Sequence, residues 1–485
     1  MKKIALAILA LAAFVESNAQ TAFDALRFSE YRALGTARFQ SLGGAFGSLG
    51  GETSAIHLNP GTLGESRNNQ YNITLGSTSV ISNSKLYGEV GPEVRSTGIS
   101  IGNLAAIFSA KISDSKWKYV SFGISYNRML DYRSNIEITG TTPENSIADF
   151  AFSANGLTPD ELLEYDPLYS DLAYQSEVIN LAPGDPSGTS YVPNDFSEDA
   201  YNESTVAERG RLAETGIALG GNYDNKWFLG FEIGIPVARF RSQTEFTETS
   251  TDSSSALQQY TFRNNLEMAG SGFNFKLGGV YRASDRVRLG LAFHTPTYFD
   301  FSESTESTMK SEVEDRSYHI LSDIYQNDYL LTTPSKFIAS GSYIIGKSGF
   351  ISVNYLTYNP RTARFRNSEF IESDFFDGTN RDIRTIYQRV NHLAVGMEYR
   401  VSYISFRGGY SIQNSPIRDE FVENNSALKT VSGGIGIKNG NYYMDFGFSS
   451  QITTQDYYLN SYALEPASLA NRKNTFQFTL GYRFK

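Results

Sequence analysis

The strongest constraint on the fold is the alternation of residue types over residues 474–485. Apolar Phe476, Phe478, Leu480, Tyr482 and Phe484 alternate with Thr475, Gln477, Thr479, Gly481 and Arg483. Side chains with a period of two lie on opposite faces of a β-strand, so this strand has one apolar and one polar face. Combined with an N-terminal export signal, a C-terminal strand of this kind is typical of an outer-membrane β-barrel that it closes.

The N-terminus has the features of an export signal. Lys2 and Lys3 precede an apolar run over residues 4–15, and a small-residue cleavage site follows. This order predicts a signal peptide over residues 1–19 and a mature chain that begins at Gln20. The apolar run is too short to cross a bilayer as a helix, and no later run reaches about 18 to 20 apolar residues. A membrane protein made from this chain is therefore expected to be a barrel.

Composition narrows the possible functions. The chain has no cysteine, which excludes a lipid attachment point, a disulfide framework and a thiolate metal site. No Pro/Ser/Gly-rich linker divides the sequence, so we predict one β domain over residues 71–485. The formal charge is -10 and becomes -11 without the signal, whose Lys2, Lys3 and Glu16 sum to +1. This negative charge argues against a nucleic-acid partner.

Segments of alternating hydrophobicity predict an all-β fold, an antiparallel transmembrane barrel of fourteen strands. In one such segment, Leu229, Phe231 and Ile233 alternate with Gly230 and Glu232. The predicted strands cover residues 71–80, 97–110, 118–140, 212–223, 226–247, 258–282, 286–306, 329–345, 348–362, 385–400, 403–414, 428–439, 441–452 and 473–484.

The links between these segments alternate in length, as they do in bacterial barrels with short periplasmic turns and long external loops. Asn439-Gly440 is a typical short hairpin turn. With residues 20–70 on the periplasmic side, all long links are external. The longest, residues 141–211, is predicted to contain a helix with Thr158 as N-cap and Pro159 at its first position. Its leucines indicate either a lid packed on neighbouring loops or a landing surface for an apolar ligand.

The segment between the signal and the first strand is rich in glycine yet apolar. It contains Gly43, Gly44, Ala45 and Phe46, and it is unsuited to a regular strand or to a disordered tail. We therefore predict that residues 20–70 form a compact plug, or hatch, inside the barrel. A phosphate-binding loop is disfavoured because no Gly-Lys-Ser/Thr follows the glycines.

This segment closely resembles the signature of the FadL/TodX family of outer-membrane transporters, in its Bacteroidetes-type form. The family signature opens with small-Ala-Arg, which Thr36-Ala37-Arg38 matches. Its Gly-Gly-Ala-Phe core is matched by Gly43-Gly44-Ala45-Phe46. Its ending, Ser-Ala-Ile…Asn-Pro-Ala-Gly, is matched by Ser54-Ala55-Ile56 with Asn59-Pro60-Gly61. The sequence departs from the family pattern at Gly61, where alanine is usual. Similarity extends over nearly the whole mature chain.

The resemblance implies passive uptake of long-chain fatty acids or other hydrophobic small molecules across the outer membrane of a Gram-negative cell. It implies capture by external loops, an apolar lumen pocket and hatch-controlled release into the membrane. The lateral gate would correspond to Tyr126, Asn127, Arg128, Met129 and Leu130, which include no proline or glycine. The expected partners are an apolar ligand, outer-membrane lipid and, through the C-terminal strand, the barrel assembly machinery.

Charged lumen residues are candidates for binding a ligand head group. Glu232, Arg288 and Arg407 are the predicted contacts, because arginine pairs bidentately with carboxylates. Alternatively, such residues only line a wet interior. The four histidines are scattered, and His57 and His294 are expected to form hydrogen bonds in the plug and wall, with haem-type ligation as a lesser alternative. We expect no metal and no cofactor.

Two other functional classes were compared with uptake. The first is a type IX secretion shuttle that binds exported cargo domains, and Phe46 in the Gly-Gly-Ala-Phe form favours the transporter over it. The second is an outer-membrane lipase, which the sequence disfavours because it has no G-x-S-x-G motif and no Ser-His-Asp arrangement. The protein is therefore predicted not to be an enzyme, with no catalytic residues.

Overall fold

The computed structural model is a closed antiparallel β-barrel of fourteen strands. It describes residues 21–368, 374–422, 426–459 and 465–484, so the predicted signal peptide lies outside the described residues. The strands are β1 Asn69–Leu86, β2 Val94–Lys111, β3 Trp117–Asp131 with Ser134–Thr142, β4 Ala200–Tyr223, β5 Trp227–Ser250, β6 Leu257–Arg282, β7 Val287–His294 with Tyr298–Val313, β8 Tyr325–Thr332 with Lys336–Ile345, β9 Gly349–Tyr358 with Arg364–Asn367, β10 Val390–Val401, β11 Ile404–Gln413, β12 Leu428–Asn439, β13 Tyr442–Tyr457 and β14 Ala467–Phe484. Short additional strands are Glu89–Val90 and Arg316–Leu321.

Pairing of the first strand with the last closes the barrel. β1 and β14 are in antiparallel register from Asn69 opposite Phe484 to Lys85 opposite Ser468. The predicted all-β, fourteen-stranded fold is thus confirmed. The C-terminal strand occupies the closing position that its alternation predicted.

Four predicted strands are interrupted, and three of the interruptions have a simple cause. β7 breaks around Pro296, β8 around Pro334 and β9 around Pro360, where the missing backbone N–H removes a ladder hydrogen bond. β3 breaks at Tyr132 and Arg133, where no proline is present. The break in β3 must therefore come from tertiary contacts.

The distribution of burial is the reverse of that in a soluble protein. On β1, Tyr71, Ile73 and Leu75 are 41–48% exposed, whereas the alternating Asn72 and Thr74 are buried. The same alternation continues around the barrel, so its outer face is an apolar belt and its inner face is polar. Within the described ranges, no helix combines the length and the apolar character needed to cross a membrane.

The N-terminal segment, residues 21–68, contains helices α1 Ala22–Arg27, α2 Ala37–Ser41 and α3 Ala55–Leu58 and a 3-10 helix, Pro60–Glu65. The Ala37 amide donates to Thr479 Oγ1 of β14 at 2.9 Å. His294 Nε2 of β7, across the ring, lies 3.0 Å from the Leu58 carbonyl oxygen. The segment thus contacts inward-facing groups on opposite sides of the barrel.

The largest loop carries helices α4 Ile147–Ala154, α5 Pro159–Tyr165 and α6 Ser170–Gln175 and a small ribbon, Ile179–Leu181 with Tyr191–Pro193. The predicted N-cap is present and forms a capping box, with Thr158 Oγ1 accepting from the Glu161 amide and Glu161 Oε2 accepting from the Thr158 amide at 2.7 Å. The loop is shorter than the predicted residues 141–211, because β3 extends to Thr142 and β4 begins at Ala200.

The loop helices pack on the ends of neighbouring strands. Leu162 and Leu172 are buried in one cluster with Tyr260 and Met309, as expected for a lid. Leu163 is 58% exposed, so an apolar outer surface remains as well. A further helix, α7 Asp377–Ile386, and the 3-10 helices Pro360–Thr362, Asp374–Phe376 and Asp419–Phe421 lie in other connections.

Asp166 provides a test of how the loop is held. Burial raises the pKa of Asp166 to about 6 from an ordinary value of 3.8, and the carboxylate accepts from the Ser170 amide at 3.1 Å. Because the folded loop binds this proton more tightly than the unfolded loop, its stability is greatest below the ordinary pKa and falls as the pH rises through about 6. We expect hydrogen exchange over residues 159–175, corrected for intrinsic rates, to be slower at about pH 5 than at about pH 7.5.

The variant Asp166→Asn is the matched control. It should weaken the pH dependence without abolishing it, because burial also raises the pKa of Asp171. An unaltered pH dependence in Asp166→Asn would contradict this account of the loop.

Candidate functional site

A buried aromatic cluster lies inside the barrel, around helix α1. Its side chains come from five strands, from the 3-10 helix Asp374–Phe376 and from Tyr387, which follows α7, and all of them are buried. We use the term aromatic pocket for Phe240, Met268, Phe299, Phe301, Tyr329, Phe365, Phe376 and Tyr387. Rings pack closely here, with the Phe301 and Tyr329 centroids 5.6 Å apart. Such a surface suits an apolar ligand, because binding removes hydrocarbon from water.

Helix α1 fills this pocket. The Phe28 ring lies 4.5 Å from the Phe301 ring, measured between centroids, and Leu26 packs in the same cluster. Tyr132 Oη donates to the Arg27 carbonyl oxygen at 3.1 Å, and Tyr387 Oη donates to that of Ala22 at 2.7 Å. The N-terminal segment therefore packs among these rings and is held there at both ends of α1.

Arg27 is the charged group beside the pocket. Its guanidinium lies 3.8 Å from the centre of the Phe240 ring, a cation–π contact. It pairs with Asp24 in the same helix, and its Nη2 is 3.8 Å from an oxygen of Glu208 on β4. A carboxylate placed at this point would meet a guanidinium already close to the apolar rings.

The predicted hatch residues form a tight turn against the wall. Gly43 and Gly44 have φ values of 62° and 81°, a left-handed conformation that favours glycine. A Cβ on Gly44 would also lie 2.7 Å from that of Ala33. Ala45 and Phe46 are fully buried, and Phe46 packs edge-on to Phe350 of β9 with 5.9 Å between centroids.

Asn59 and Pro60 fix the next turn. Asn59 Nδ2 donates to the Gly47 carbonyl oxygen at 2.6 Å and to that of Gly279 on β6 at 3.2 Å. Pro60 begins the 3-10 helix, as its fixed φ favours. A Cβ on Gly61 would lie 2.7 Å from Gly279 Cα, so this wall explains why glycine stands where the family pattern has alanine.

A buried ion cluster joins the N-terminal segment to three strands. We define it as His57 on α3, Glu214 on β4, Glu232 on β5 and Lys276 on β6. His57 Nδ1 lies 3.1 Å from Glu214 Oε1 and 3.0 Å from Glu232 Oε1. Lys276 Nζ contacts both carboxylates, at 2.8 Å for Glu232. All four side chains are at most 5% exposed.

Three members of the buried ion cluster have side chains of the types that bind metal ions. The ligand atoms of His57, Glu214 and Glu232 lie within 4.8 Å of one another, a spacing that could hold an ion. The ammonium group of Lys276, however, already supplies positive charge to both carboxylates. These residues therefore fit an internal ion pair better than a metal centre.

The predicted head-group contacts lie in three separate ion-pair groups. Glu232 belongs to the buried ion cluster, and Arg288 pairs with Glu65 of the N-terminal segment. Arg407 pairs with Glu398 and Asp445, and Glu398 also binds Arg38 of the segment at 2.8 Å. None of the three lines the aromatic pocket. All three nonetheless belong to ion-pair networks that include the N-terminal segment.

The predicted gate residues end at the break in β3. β2 pairs with β3 only from Asn103, opposite Asn127, to Lys111. Residues 94–102 of β2 pair with β1 but, within the described chain, with no strand on the other side. The second part of β3 pairs with β4 instead and crosses inside β1, where Ser84 Oγ donates to the Glu137 carbonyl oxygen at 2.6 Å.

Arg133 fills the gap left by this crossing. A Cβ on Gly98 of β2 would lie 2.1 Å from Arg133 Cζ, and Arg133 Nη1 donates to the Thr97 carbonyl oxygen at 3.2 Å. Arg128 and Leu130 flank a register shift against β4, so the predicted gate contains a bulge. The wall at this point is held by a side chain in place of a strand ladder.

Sequence reasoning missed the residues whose roles depend on long-range contacts. Nothing in the local pattern marked Arg27 or Arg133, because Phe240 and Thr97, which they contact on the wall, are distant in sequence. A lysine on the inward face of an otherwise small or polar strand, at Lys276, was the one available signal.

Solved structures of other proteins have a similar fold. The Pseudomonas putida toluene transporter TodX aligns with 94% of this chain and 99% of its own, at 13% identity and a TM-score of 0.53. A Pseudomonas aeruginosa FadL homologue aligns with 93% of this chain and 99% of its own, at 12% identity and a TM-score of 0.55. This chain has the FadL/TodX fold. With its apolar belt, it is an outer-membrane barrel of that type.

The likeness to the FadL/TodX fold is one of structure. No protein-family model matches the sequence, and no curated protein matches it. At 12–13% identity, the shared fold leaves ligand and mechanism to be argued from this chain's own residues.

Removing Lys276 tests the buried ion cluster. In Lys276→Met the carboxylates of Glu214 and Glu232 lose their shared ammonium, and breaking a buried pair costs about 3–5 kcal/mol. We expect a loss of that order in the free energy of unfolding, measured in urea after reconstitution. Hydrogen exchange should also be faster over residues 54–65.

Lys336→Met is the matched control, because no ion-pair partner for this inward-facing lysine of β8 lies within the described residues. It should cost less than Lys276→Met. Adding Glu214→Gln to Lys276→Met should restore part of the stability. Equal losses for the two lysine variants would show that the ion cluster does not anchor the segment.

Proposed function

We propose that this protein is a channel for passive uptake of hydrophobic small molecules across the outer membrane, with residues 20–70 as its hatch. The observation that carries the proposal is the aromatic pocket occupied by α1. The pocket suits an apolar ligand, and its present occupant is a short helix with few polar attachments. The fold shared with a toluene transporter supports the same class of function.

Long-chain fatty acids or similar lipophiles are the proposed substrates. Each CH2 removed from water contributes about 0.8 kcal/mol, so a long acyl chain can compete with the side chains of α1 for the aromatic pocket. Arg27 is the proposed first contact of a carboxylate head group, since it lies beside the Phe240 ring. A ligand that binds only the state with α1 displaced shifts the population toward that state.

Movement of the hatch would release further charged groups. Arg288 is paired with Glu65 of the hatch, and Glu398 joins Arg407 to Arg38 of the hatch. When the hatch shifts, Arg288 loses Glu65 and can bind the head group, as proposed for it from the sequence. Arg407 keeps its wall partners Glu398 and Asp445, so a head group would have to compete with them for it. Glu232 would then stay with Lys276 in the wall.

Exit is proposed to be lateral, beside Tyr126, Asn127, Arg128, Met129 and Leu130. The supporting observation is the edge of β2 over residues 94–102, which Arg133 fills. A side chain can swing aside at low cost, whereas a complete strand ladder would have to break its backbone hydrogen bonds in lipid. Entry would begin at exposed apolar side chains of the loops, such as Leu163.

The alternative is a type IX secretion shuttle that binds exported cargo domains. A bore filled by its own chain is compatible with that role. The aromatic pocket favours uptake over cargo binding, because closing the bore does not by itself require a contiguous set of buried aromatic rings. We therefore propose transport over cargo binding, and over catalysis.

Two phenylalanines in contact should have opposite effects on ligand binding. Phe28→Ala weakens only the internal competitor, so labelled oleate should bind at least about tenfold more tightly, since burial of a Phe side chain is worth about 1.5–3 kcal/mol and each 1.4 kcal/mol is about tenfold. Phe301→Ala removes wall that both occupants use and should weaken binding. The measurement is fluorescence titration of the purified protein, with lipid-facing Phe446→Ala as the neutral control. Weaker binding in Phe28→Ala would contradict the proposal.

A reversible disulfide tests whether the hatch must move. The chain has no cysteine, and a Cβ on Gly47 of the hatch would lie 3.0 Å from Ser340 Cβ of β8, close to the span of a disulfide. The double variant Gly47→Cys/Ser340→Cys should take up labelled oleate several-fold more slowly when oxidised and recover on reduction. The two single variants are the controls. Uptake that is the same in the oxidised and reduced forms would exclude hatch movement.

A further inference from the structure

Four arginines form opposed pairs on β4 and β5. In the antiparallel register, Arg211 lies opposite Arg239 and Arg209 lies opposite Arg241. Like charges at directly opposite positions destabilise a strand pair. Arg211, Arg239 and Arg241 are exposed on the outer face, and the side chain of Arg241 is 73% accessible. We call these four residues the arginine quartet.

Two of the four arginines already have partners within the chain. Arg209 Nη1 donates to the Ser134 carbonyl oxygen at 3.1 Å and to Asn135 Oδ1 at 2.6 Å. Arg241 Nε lies 3.1 Å from Glu267 Oε1, and this pair is highly exposed. Asp131 lies opposite Arg211 across β3 and β4, but its carboxylate is engaged by Arg128 at 2.8 Å. For Arg211 and Arg239, no hydrogen bond or ion pair is found within the described chain. The arrangement is unfavourable unless an anion from outside the chain is present.

The position of the quartet identifies that anion. Along β5, the outward residues Ile233, Ile235 and Val237 are 36–43% exposed and belong to the apolar belt, and Arg239 is the next outward residue. Arg239 therefore lies directly at the loop-side edge of the belt. This is the depth at which hydrocarbon gives way to lipid head groups, where basic side chains bind anionic lipids.

We infer that Arg211 and Arg239 of the arginine quartet bind a phosphate group of a phosphorylated glycolipid in the outer leaflet. Guanidinium groups bind phosphate bidentately, so one phosphate between Arg211 and Arg239 would satisfy donors on both strands. It would also remove the repulsion between them. A lipid fits better than a protein, because the adjoining belt is already covered by the acyl chains of the same molecule.

Binding of lipid A tests this inference. The full chain is purified in mild detergent and titrated with lipid A or with enzymatically dephosphorylated lipid A, and bound lipid is measured by native mass spectrometry. We expect Arg211→Gln/Arg239→Gln to bind lipid A at least about tenfold more weakly than the wild type, because two bidentate partners are lost. Dephosphorylated lipid A should bind weakly to both proteins.

The matched control is Arg263→Gln/Lys310→Gln. These residues are on neighbouring strands, outside the apolar belt and farther toward the loops, and the change removes the same charge. The control should bind lipid A as the wild type does. Equal affinity of the quartet variant and the wild type would overturn the inference, and so would equal binding of dephosphorylated lipid A.

Lipid-free stability separates a binding role from a structural one. Because Arg211→Gln/Arg239→Gln removes like-charge repulsion, its unfolding temperature in detergent without lipid should equal or exceed that of the wild type. A lower unfolding temperature would mean that the arginines stabilise the fold itself and would overturn the inference. Uptake of labelled oleate does not enter this test, so its outcome is independent of the proposed transport function.

Discussion

Backbone hydrogen bonding in lipid is the constraint on which the rest of the structure depends. Strands that cross a membrane must pair on both edges, so the sheet has to close, and β1 with β14 completes the ring. Closure turns one face of every strand outward to lipid and leaves a polar inner face that needs partners. The N-terminal segment supplies those partners: Ala37 binds Thr479, Asn59 binds Gly279, and His57 joins Lys276 and two glutamates.

The attachments of the N-terminal segment differ along its length. Near the turns, the segment is fixed by buried ions and by a close backbone approach at Gly61. In the aromatic pocket, α1 is fixed mainly by apolar contacts and two tyrosine hydroxyls. An apolar ligand can replace apolar contacts but not ion pairs. Occupation of the pocket therefore acts on α1 first, and the ion pairs Arg288–Glu65 and Arg38–Glu398 break only when the rest of the segment follows.

Strand positions were predictable because apolar and polar residues alternate within each strand, and this alternation is visible in the local sequence. The turns of the hatch motif were predictable for a similar local reason, since Gly43, Gly44 and Pro60 have backbone preferences of their own. The aromatic pocket was not, because Phe28 and Phe301 meet only after a ring of strands has closed. The buried ion cluster was missed for the same reason: His57 pairs with residues more than 150 positions away.

The break in β3 illustrates how tertiary structure overrides a local pattern. Residues 118–140 read as one continuous strand, and the sequence contains nothing that would interrupt it. The second part of β3, Ser134–Thr142, crosses inside β1 because Ile136 and Ile138 join Leu86 and Leu469 in a buried cluster. Burying these side chains compensates for the ladder that residues 94–102 of β2 lose. A single arginine, Arg133, then meets the exposed edge, so the wall is weakest where an apolar cluster has drawn a strand inward.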